Sequence, residues 1–340
     1  MTVDPQPTQA EWDRFIGASA AATAYHQWGW RDVFTQVFGH QCHYWAAKEG
    51  STVVGVLPLV VFDSWVFGKF GVSLPFVNYG GVVTDSAAAA EVLLGAAQSL
   101  ARSQKLSHVE LRHVQPRYPA LPAKHHKVQM TLALPGDHDA LWQQLDRKVR
   151  NQVRKAEKSE LAIAIGGAEL LPEFYSVFAH NMRDLGTPVY SARFFAAIFS
   201  RFPDGACIYV VRQGSRAIAA SITVRWRETM EVPWASALRD FRALSPNMLL
   251  YWAMLKHAVE AGCRTFDFGR STPEEGTFHF KRQWGAEPTP VSWEYVLAEG
   301  RTLPDQSPKN PKFRLAIETW KRLPVPVATL LGPSIVRSIP

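Results

Sequence analysis

The feature that most constrains this chain is an internal repeat. Trp45-Ala46-Ala47-Lys48-Glu49-Gly50-Ser51-Thr52-Val53-Val54 lines up with Tyr209-Val210-Val211-Arg212-Gln213-Gly214-Ser215-Arg216-Ala217-Ile218. In each copy an aromatic-led apolar run meets a basic residue, a polar residue and Gly-Ser, then a second apolar run. Glycine supplies the positive φ of a tight turn, so each copy predicts a β-hairpin. The flanking elements repeat as well. Trp30 to Phe38 and Phe194 to Phe202 carry apolar residues at helical spacing. A long helix is expected from about Ala87 to Gln104, leading into the strand His108-Val109-Glu110-Leu111. Its counterpart runs from about Asn247 to Glu260 and leads into Thr265-Phe266-Asp267-Phe268. Each half thus reads helix, hairpin and further strands, long helix, strand. A helix leading into a parallel strand beside antiparallel hairpins implies an α+β architecture, a mixed sheet flanked by helices, built twice.

A length of 340 residues suits two domains. The turn cluster Pro135-Gly136-Asp137 suggests a first domain over residues 1–140 and a second over 141–300. A proline-containing tail over 301–340, with a short helix from about Lys312 to Arg322, is expected to pack back on the first domain or to lie on a surface. The N-terminus has no basic start followed by an apolar run, and the longest apolar stretch, Val53 to Phe62, contains Pro58 and is too short to span a bilayer. The three scattered cysteines fit a cytoplasmic protein without disulfides. A net charge of +7 suits an anionic partner such as a nucleotide-bearing donor, tRNA, a sugar nucleotide or a membrane face. The histidine pairs lack a third ligand, so no metal is expected. Neither a P-loop nor a dinucleotide fingerprint is present, and no DNA partner is expected.

Five segments could carry chemistry. At the start of the second long helix, Ser245 is a good N-cap and Pro246 a good first residue. Such an end serves either as ordinary capping or as an anion site, with Ser245 and Asn247 on a phosphate. In Phe266-Asp267-Phe268-Gly269-Arg270-Ser271-Thr272 a carboxylate sits on an apolar strand, which is costly unless paired. Arg270 or a substrate amine is its expected partner, and Ser271 lies just beyond. In Gly276-Thr277-Phe278-His279-Phe280-Lys281-Arg282-Gln283-Trp284-Gly285, the alternation of Phe278 and Phe280 predicts a strand with His279 and Lys281 on its other face. A cation held among aromatics there can stabilise an oxyanion or a phosphate. The basic run Arg147 to Lys158 places Arg147, Arg150, Arg154 and Lys158 near one helical face, either a solvated surface or a phosphate-binding one. The loop Ser73 to Gly81, with Asn78, Tyr79 and paired glycines, is shaped by turn residues and reads as a structural turn or a cleft lining.

Taken together, Ser245 to Trp252, Phe266 to Ser271 and Phe280 to Gly285 resemble the FemAB-like branch of the acetyltransferase (GNAT) superfamily. With Asn78 to Gly81 and Trp320 to Pro324, the likeness extends to the FemAB-related proteins of exosortase/PEP-CTERM and exopolysaccharide systems. The resemblance implies two tandem GNAT-like domains. It also implies an N-acyltransferase that moves an acyl or aminoacyl group to an amine of a cell-envelope or exopolysaccharide precursor. The co-substrate would be acyl-coenzyme A or aminoacyl-tRNA, with no permanently bound cofactor; the acceptor would be a small or lipid-linked sugar or peptide. Lys281 matches the family's lysine near the reacting carbonyl. Asp267 and Arg270 join it as catalytic candidates, Ser245, Asn247, Arg150 and Arg154 as donor-binding ones. Asn78, Tyr79, Ser271, His279, Arg282 and Trp284 are the substrate-binding candidates. Two other classes stay open: a non-catalytic polysaccharide or lipid-precursor binding module, and an RNA-binding protein using the basic helix. The tail offers Trp320, Leu323, Val325, Val327 and Leu330, beside Lys321 and Arg322, as a candidate contact with the inner membrane.

Overall fold

Both hairpins form, and they repeat in detail. Gln41–Glu49 pairs with Thr52–Ser64, and Ala206–Gln213 with Arg216–Trp226. Gly50 and Gly214 hold φ of 60° and 57° at the two turns. The pairing register slips between Ala47 and Lys48 in the first hairpin and between Val211 and Arg212 in the second, the same place in the repeat. The long helices are Ala87–Ser103 and Pro246–Glu260. Each feeds a strand that lies parallel to an earlier one, His108–His113 to Gly68–Val72 and Thr265–Ser271 to Thr229–Ala237. The architecture is therefore α+β, with two mixed sheets flanked by helices.

The computed structural model describes residues 1–64, 67–304 and 311–339; residues 305–310 of the expected tail lie outside the described residues. It contains two compact units, one over 1–127 with 290–304 and 337–339, the other over 128–289 with 311–336. The first sheet runs in the order Thr2–Asp4, Gln41–Glu49, Thr52–Ser64, Gly68–Val72, His108–His113, Ser292–Leu297, Ala123–Lys124. The second runs Glu287–Pro290, Val128–Ala133, Thr265–Ser271, Thr229–Ala237, Arg216–Trp226, Ala206–Gln213, Leu161–Gly166.

The first sheet is completed by a strand from beyond the second half, and the second by the strand that directly follows the first half. Ser292–Leu297 pairs antiparallel with His108–His113, and Val128–Ala133 with Thr265–Ser271. This moves the boundary from the expected 140 to 127/128, because the strand after it is hydrogen-bonded into the second sheet. The tail, expected to pack back on the first domain or to lie on a surface, is shared: residues 337–339 group with the first unit and residues 311–336 with the second. Helix Val325–Val336 lies on helix Leu171–Leu185 of the second unit. Ala328, Gly332 and Val336 form its buried face, and a Cβ on Gly332 would fall 2.8 Å from the Val189 amide nitrogen. Arg183 Nη1 pins the preceding turn by donating to the Leu323 carbonyl at 2.8 Å.

In the second unit the core sits between the sheet and helix Pro246–Glu260. That helix is apolar on nearly every side, burying Met248, Leu250, Tyr251, Met254 and Leu255 among others. Helix Arg147–Glu157 covers it with Val149, Val153 and Ala156 and turns its charged side to solvent. No helix among the described residues is long and apolar enough to cross a membrane.

Candidate active site

The site begins where a pair of parallel strands separates. Thr229–Ala237 and Thr265–Ser271 pair at Thr229 with Thr265, Met230 with Phe266 and Glu231 with Asp267. Pairing ends at that rung, yet both strands run on. Past the rung the facing backbone groups no longer meet, and the sheet opens as a wedge. Residues opposite each other in parallel strands project to one face. Glu231 and Asp267, 5% and 2% exposed, therefore stand side by side at the vertex. On the other flank, pairing with Val128–Ala133 slips between Asp267 and Arg270, where Gly269 takes φ 72°. A side chain would be strained in that conformation.

Asp267 is tied down at both oxygens. Gln129 Nε2 donates to Oδ2 at 2.6 Å and the Gly269 amide to Oδ1 at 2.7 Å. Lys281 reaches the same turn from the next element. Its ammonium donates to the carbonyls of Gly269 at 3.2 Å and Arg270 at 2.8 Å, with the residue only 8% exposed. A buried ammonium is tolerated because carbonyl dipoles replace water around it. The carboxylate and the ammonium are thus both fixed on Gly269, one through its amide and one through its carbonyl.

Lys281 arrives on a helix, Gly276–Arg282, and not on the expected strand. The Phe278–Phe280 alternation is too short to select a strand, and no sheet edge pairs with this segment. The helical turn instead points Lys281 and, three residues on, Trp284 inward, with Phe280 partly buried beside them. Tyr251 holds the pieces together. Its ring stacks on Phe268 at 5.6 Å and meets Phe280 edge-on at 4.9 Å. One tyrosine thereby brings together the long helix, the Asp267 strand and the Lys281 helix, the three segments singled out in the sequence.

The other candidates fall in several places. Ser245 occupies the N-cap position but adopts φ 56°, ψ 43°, and its hydroxyl caps nothing; a left-handed residue cannot aim its side chain at the first-turn amides. The positive end of a fifteen-residue helix is left without a side-chain cap, and Asn247 is half-buried in its first turn. Ser271 is buried one residue past Arg270. Trp284, expected to meet substrate, is 1% exposed and packed against Tyr251 and Phe280, so it belongs to the core. His279 and Arg282 lie on the solvent side of their helix beside Glu274, at 3.6 Å, and Glu287, at 2.7 Å. Arg154 lies over the Trp142 ring at 5.4 Å, and Arg150 is half-buried on the same basic helix. Asn78 and Tyr79 belong to the first unit, where Tyr79 is buried near Tyr25 and not open to a ligand. Among the described residues no cluster of three or more His, Cys, Asp or Glu side chains could hold a metal ion.

Sequence reasoning missed Glu231 and Gln129. The signal for Glu231 is a lone acid between Met230 and Val232 in a strand that is otherwise apolar at its centre. Gln129 alternates with Val128 and Met130 and gives no warning that it faces a carboxylate.

In the first unit the equivalent wedge is filled. Parallel pairing there ends at Val72 with Glu110, and the chain then folds back over the gap. Ser73 N donates to the Glu110 carbonyl at 2.8 Å, Arg112 N to Ser73 Oγ at 2.9 Å, and Gly80 N to the Arg112 carbonyl at 2.8 Å. Gly80 and Gly81 are needed because a Cβ on either would overlap the Ser73 carbonyl or the His113 ring. Behind the loop lies a paired network. Arg112 Nε bonds Glu110 at 2.6 Å and Tyr295 Oη donates to the same carboxylate at 2.8 Å. His113 Nε2 accepts from Val82 N at 2.9 Å while its Nδ1 meets Glu294 at 2.6 Å. Burial keeps the His113 pKa below its usual value despite Glu294, so the ring is neutral with its proton on Nδ1. Burial alone would raise the Glu110 carboxyl, but Arg112 and the Tyr295 hydroxyl hold it below its ordinary value.

Residues 143–282 match the family model of an acetyltransferase (GNAT) domain, a span that includes Glu231, Asp267 and Lys281. No curated protein matches the chain by sequence. Among solved structures it is similar to FemX, at 16% identity and a TM-score of 0.66, covering 87% of this chain and 98% of that one. It is similar to the C-terminal (DUF2156) domain of a putative lysylphosphatidylglycerol synthetase from Agrobacterium fabrum, at 11% identity and a TM-score of 0.57, covering 85% and 92%. It is also similar to a tandem GNAT protein from the clavulanic acid biosynthesis pathway, at 13% identity and a TM-score of 0.50, covering 89% and 100%. At such identities the likeness is one of fold. The chain is built as two tandem GNAT-like domains, the second of which carries the match to the acetyltransferase (GNAT) domain family.

Proposed function

We propose that the protein is an N-acyltransferase whose chemistry takes place in the second unit. The observation that carries this reading is the open wedge at the Glu231–Asp267 rung, with Lys281 fixed beside it. The donor lies along the open edge of strand Thr229–Ala237, whose unpaired backbone groups hold its acyl arm. Its phosphates sit at the start of helix Pro246–Glu260, near Ser245 and Asn247, with Arg150 and Arg154 on the basic helix adding positive charge. The acceptor amine attacks the donor carbonyl directly. The new C–N bond forms as the C–S bond of acyl-coenzyme A, or the C–O bond of aminoacyl-tRNA, breaks. Asp267 takes the amine's proton and returns it to the leaving group, and Lys281 stabilises the transient oxyanion. Arg270 and Ser271 border the acceptor. Holding both reactants in the wedge supplies the remaining rate.

The acetyltransferase domain match supports acyl-coenzyme A as donor. The likeness to FemX and to a lysylphosphatidylglycerol synthetase supports an aminoacyl group and a cell-envelope or exopolysaccharide acceptor, small or lipid-linked. Calorimetric titration with acetyl-coenzyme A and, in parallel, with charged tRNA separates the two donors. Saturable binding of one, with acyl transfer to an amine acceptor strongly reduced in Lys281→Ala, is the expected result. Full transfer by Lys281→Ala would overturn the assignment, and binding of neither donor would favour a non-catalytic module.

A further inference from the structure

We infer that the outward face of the C-terminal helices is a docking surface for an anionic lipid bilayer. Helix Val325–Val336 spends its small residues on the protein and turns large ones to water. With Ala328, Gly332 and Val336 buried, Leu330 is 77% exposed and Leu331 45%. Leu315 on the neighbouring helix Pro311–Trp320 is 79% exposed. The end of helix Leu171–Leu185 lies next to that helix, since a Cβ on Gly186 would fall 2.9 Å from the Ile317 carbonyl, and it adds Leu185 at 50%. A surface helix of a water-soluble domain ordinarily faces solvent with polar residues. This one has no charged residue at all from Leu323 to Val336.

The charge around the patch selects its occupant. Residues 311–339 contain five basic residues against one acidic residue, Glu318, which is already paired with Lys321 at 2.7 Å. Arg314 and Arg322 are exposed. A second copy docking through the same face would bring these cations against one another. A bilayer surface bearing anionic headgroups accepts the cations in the headgroup layer while the leucines enter the acyl boundary. A twelve-residue helix is about 18 Å long, too short to cross about 30 Å of hydrocarbon, so it lies in the plane of the interface.

The test is co-sedimentation of the full chain with phosphatidylcholine vesicles, and with vesicles in which part of the lipid is phosphatidylglycerol. Binding about tenfold or more tighter to the anionic vesicles is expected. Leu330→Glu with Leu331→Glu should abolish it, and Arg314→Glu with Arg322→Glu should weaken it about tenfold or more, with melting temperature and donor binding unchanged in both variants. The inference is overturned by equal or absent binding to the two vesicle types. It is also overturned by vesicle binding that survives both variants, or by a dimer in size-exclusion chromatography that Leu330→Glu with Leu331→Glu disperses. Because donor binding is measured separately, failure here leaves the acyltransferase reading standing, and the reverse holds too.

Discussion

Lys281 and Asp267 are each held by partners that do not depend on a ligand, so the wedge is preorganised and its residues can be tested singly. Lys281→Ala removes the cation but leaves the Gly269 and Arg270 carbonyls in place. A drop in kcat of about 10²–10³, with donor affinity nearly kept, is the expected result in a transfer assay. Gln129→Leu acts at one remove. It strips Asp267 Oδ2 of its amide donor without changing the reacting groups. Steady-state kinetics should show kcat lowered about tenfold, donor KM unchanged, and recovery in Gln129→Asn only if the shorter amide still reaches. Glu231 shows the limit of reading residues one at a time. Its acid character is plain in the sequence, but its meaning comes from standing opposite Asp267 on the last paired rung.

At the scale of elements, the first unit depends on a strand supplied from beyond the second in sequence. A fragment of residues 1–127 lacks Ser292–Leu297, so Glu110 loses Tyr295 and His113 loses Glu294. Leaving buried polar groups unpaired costs about 1–3 kcal/mol each, a large share of a domain's stability. The fragment should show no cooperative thermal transition by circular dichroism, and joining residues 290–304 to it through a flexible linker should restore one. The hairpins, the long helices and the strands after them were legible because periodicity and turn glycines act within a few residues. Segment 276–282 was misread because two phenylalanines in alternation fit a strand or a turn of helix equally, and only the absence of a pairing edge decided. The seat of the tail helix on Leu171–Leu185 was not legible because the face formed by Ala328, Gly332 and Val336 has no sequence partner to announce it.

For the whole molecule, the two units should differ in their response to acid. In the first, burial lowers the pKa of both His26 and His40 to about 4, and lowers that of His113 as well. A folded value below the unfolded one means that the unfolded chain binds more protons in between. Stability from these histidines is therefore complete above about pH 6.5 and is lost as pH falls towards 4, by up to about 3 kcal/mol for the fully buried His26. Glu110 and Glu294 also sit below their usual range, so their contribution is lost on further acidification, from about pH 4.5 downward. The second unit holds one such histidine, the half-buried His257. Calorimetric scans from pH 7.5 to 5 should move the transition of the first unit down by several degrees and that of the second by less. Equal shifts would place the acid sensitivity elsewhere.

By itself the sequence determined the duplicated plan: two hairpins with glycine turns, two long helices and the strands that follow them, in an α+β arrangement, with Asp267 and Lys281 marked as polar groups among aromatics. These features follow from local spacing, which a chain cannot escape wherever it folds. Only the tertiary structure decided which strand completes each sheet, as when Tyr295 crosses the intervening half of the chain to pair with Glu110. It alone decided that one wedge stays open while the loop Ser73 to Gly81 fills the other. Such choices depend on contacts between residues far apart in sequence, where burial and hydrogen-bond satisfaction, and not local propensity, set the energy.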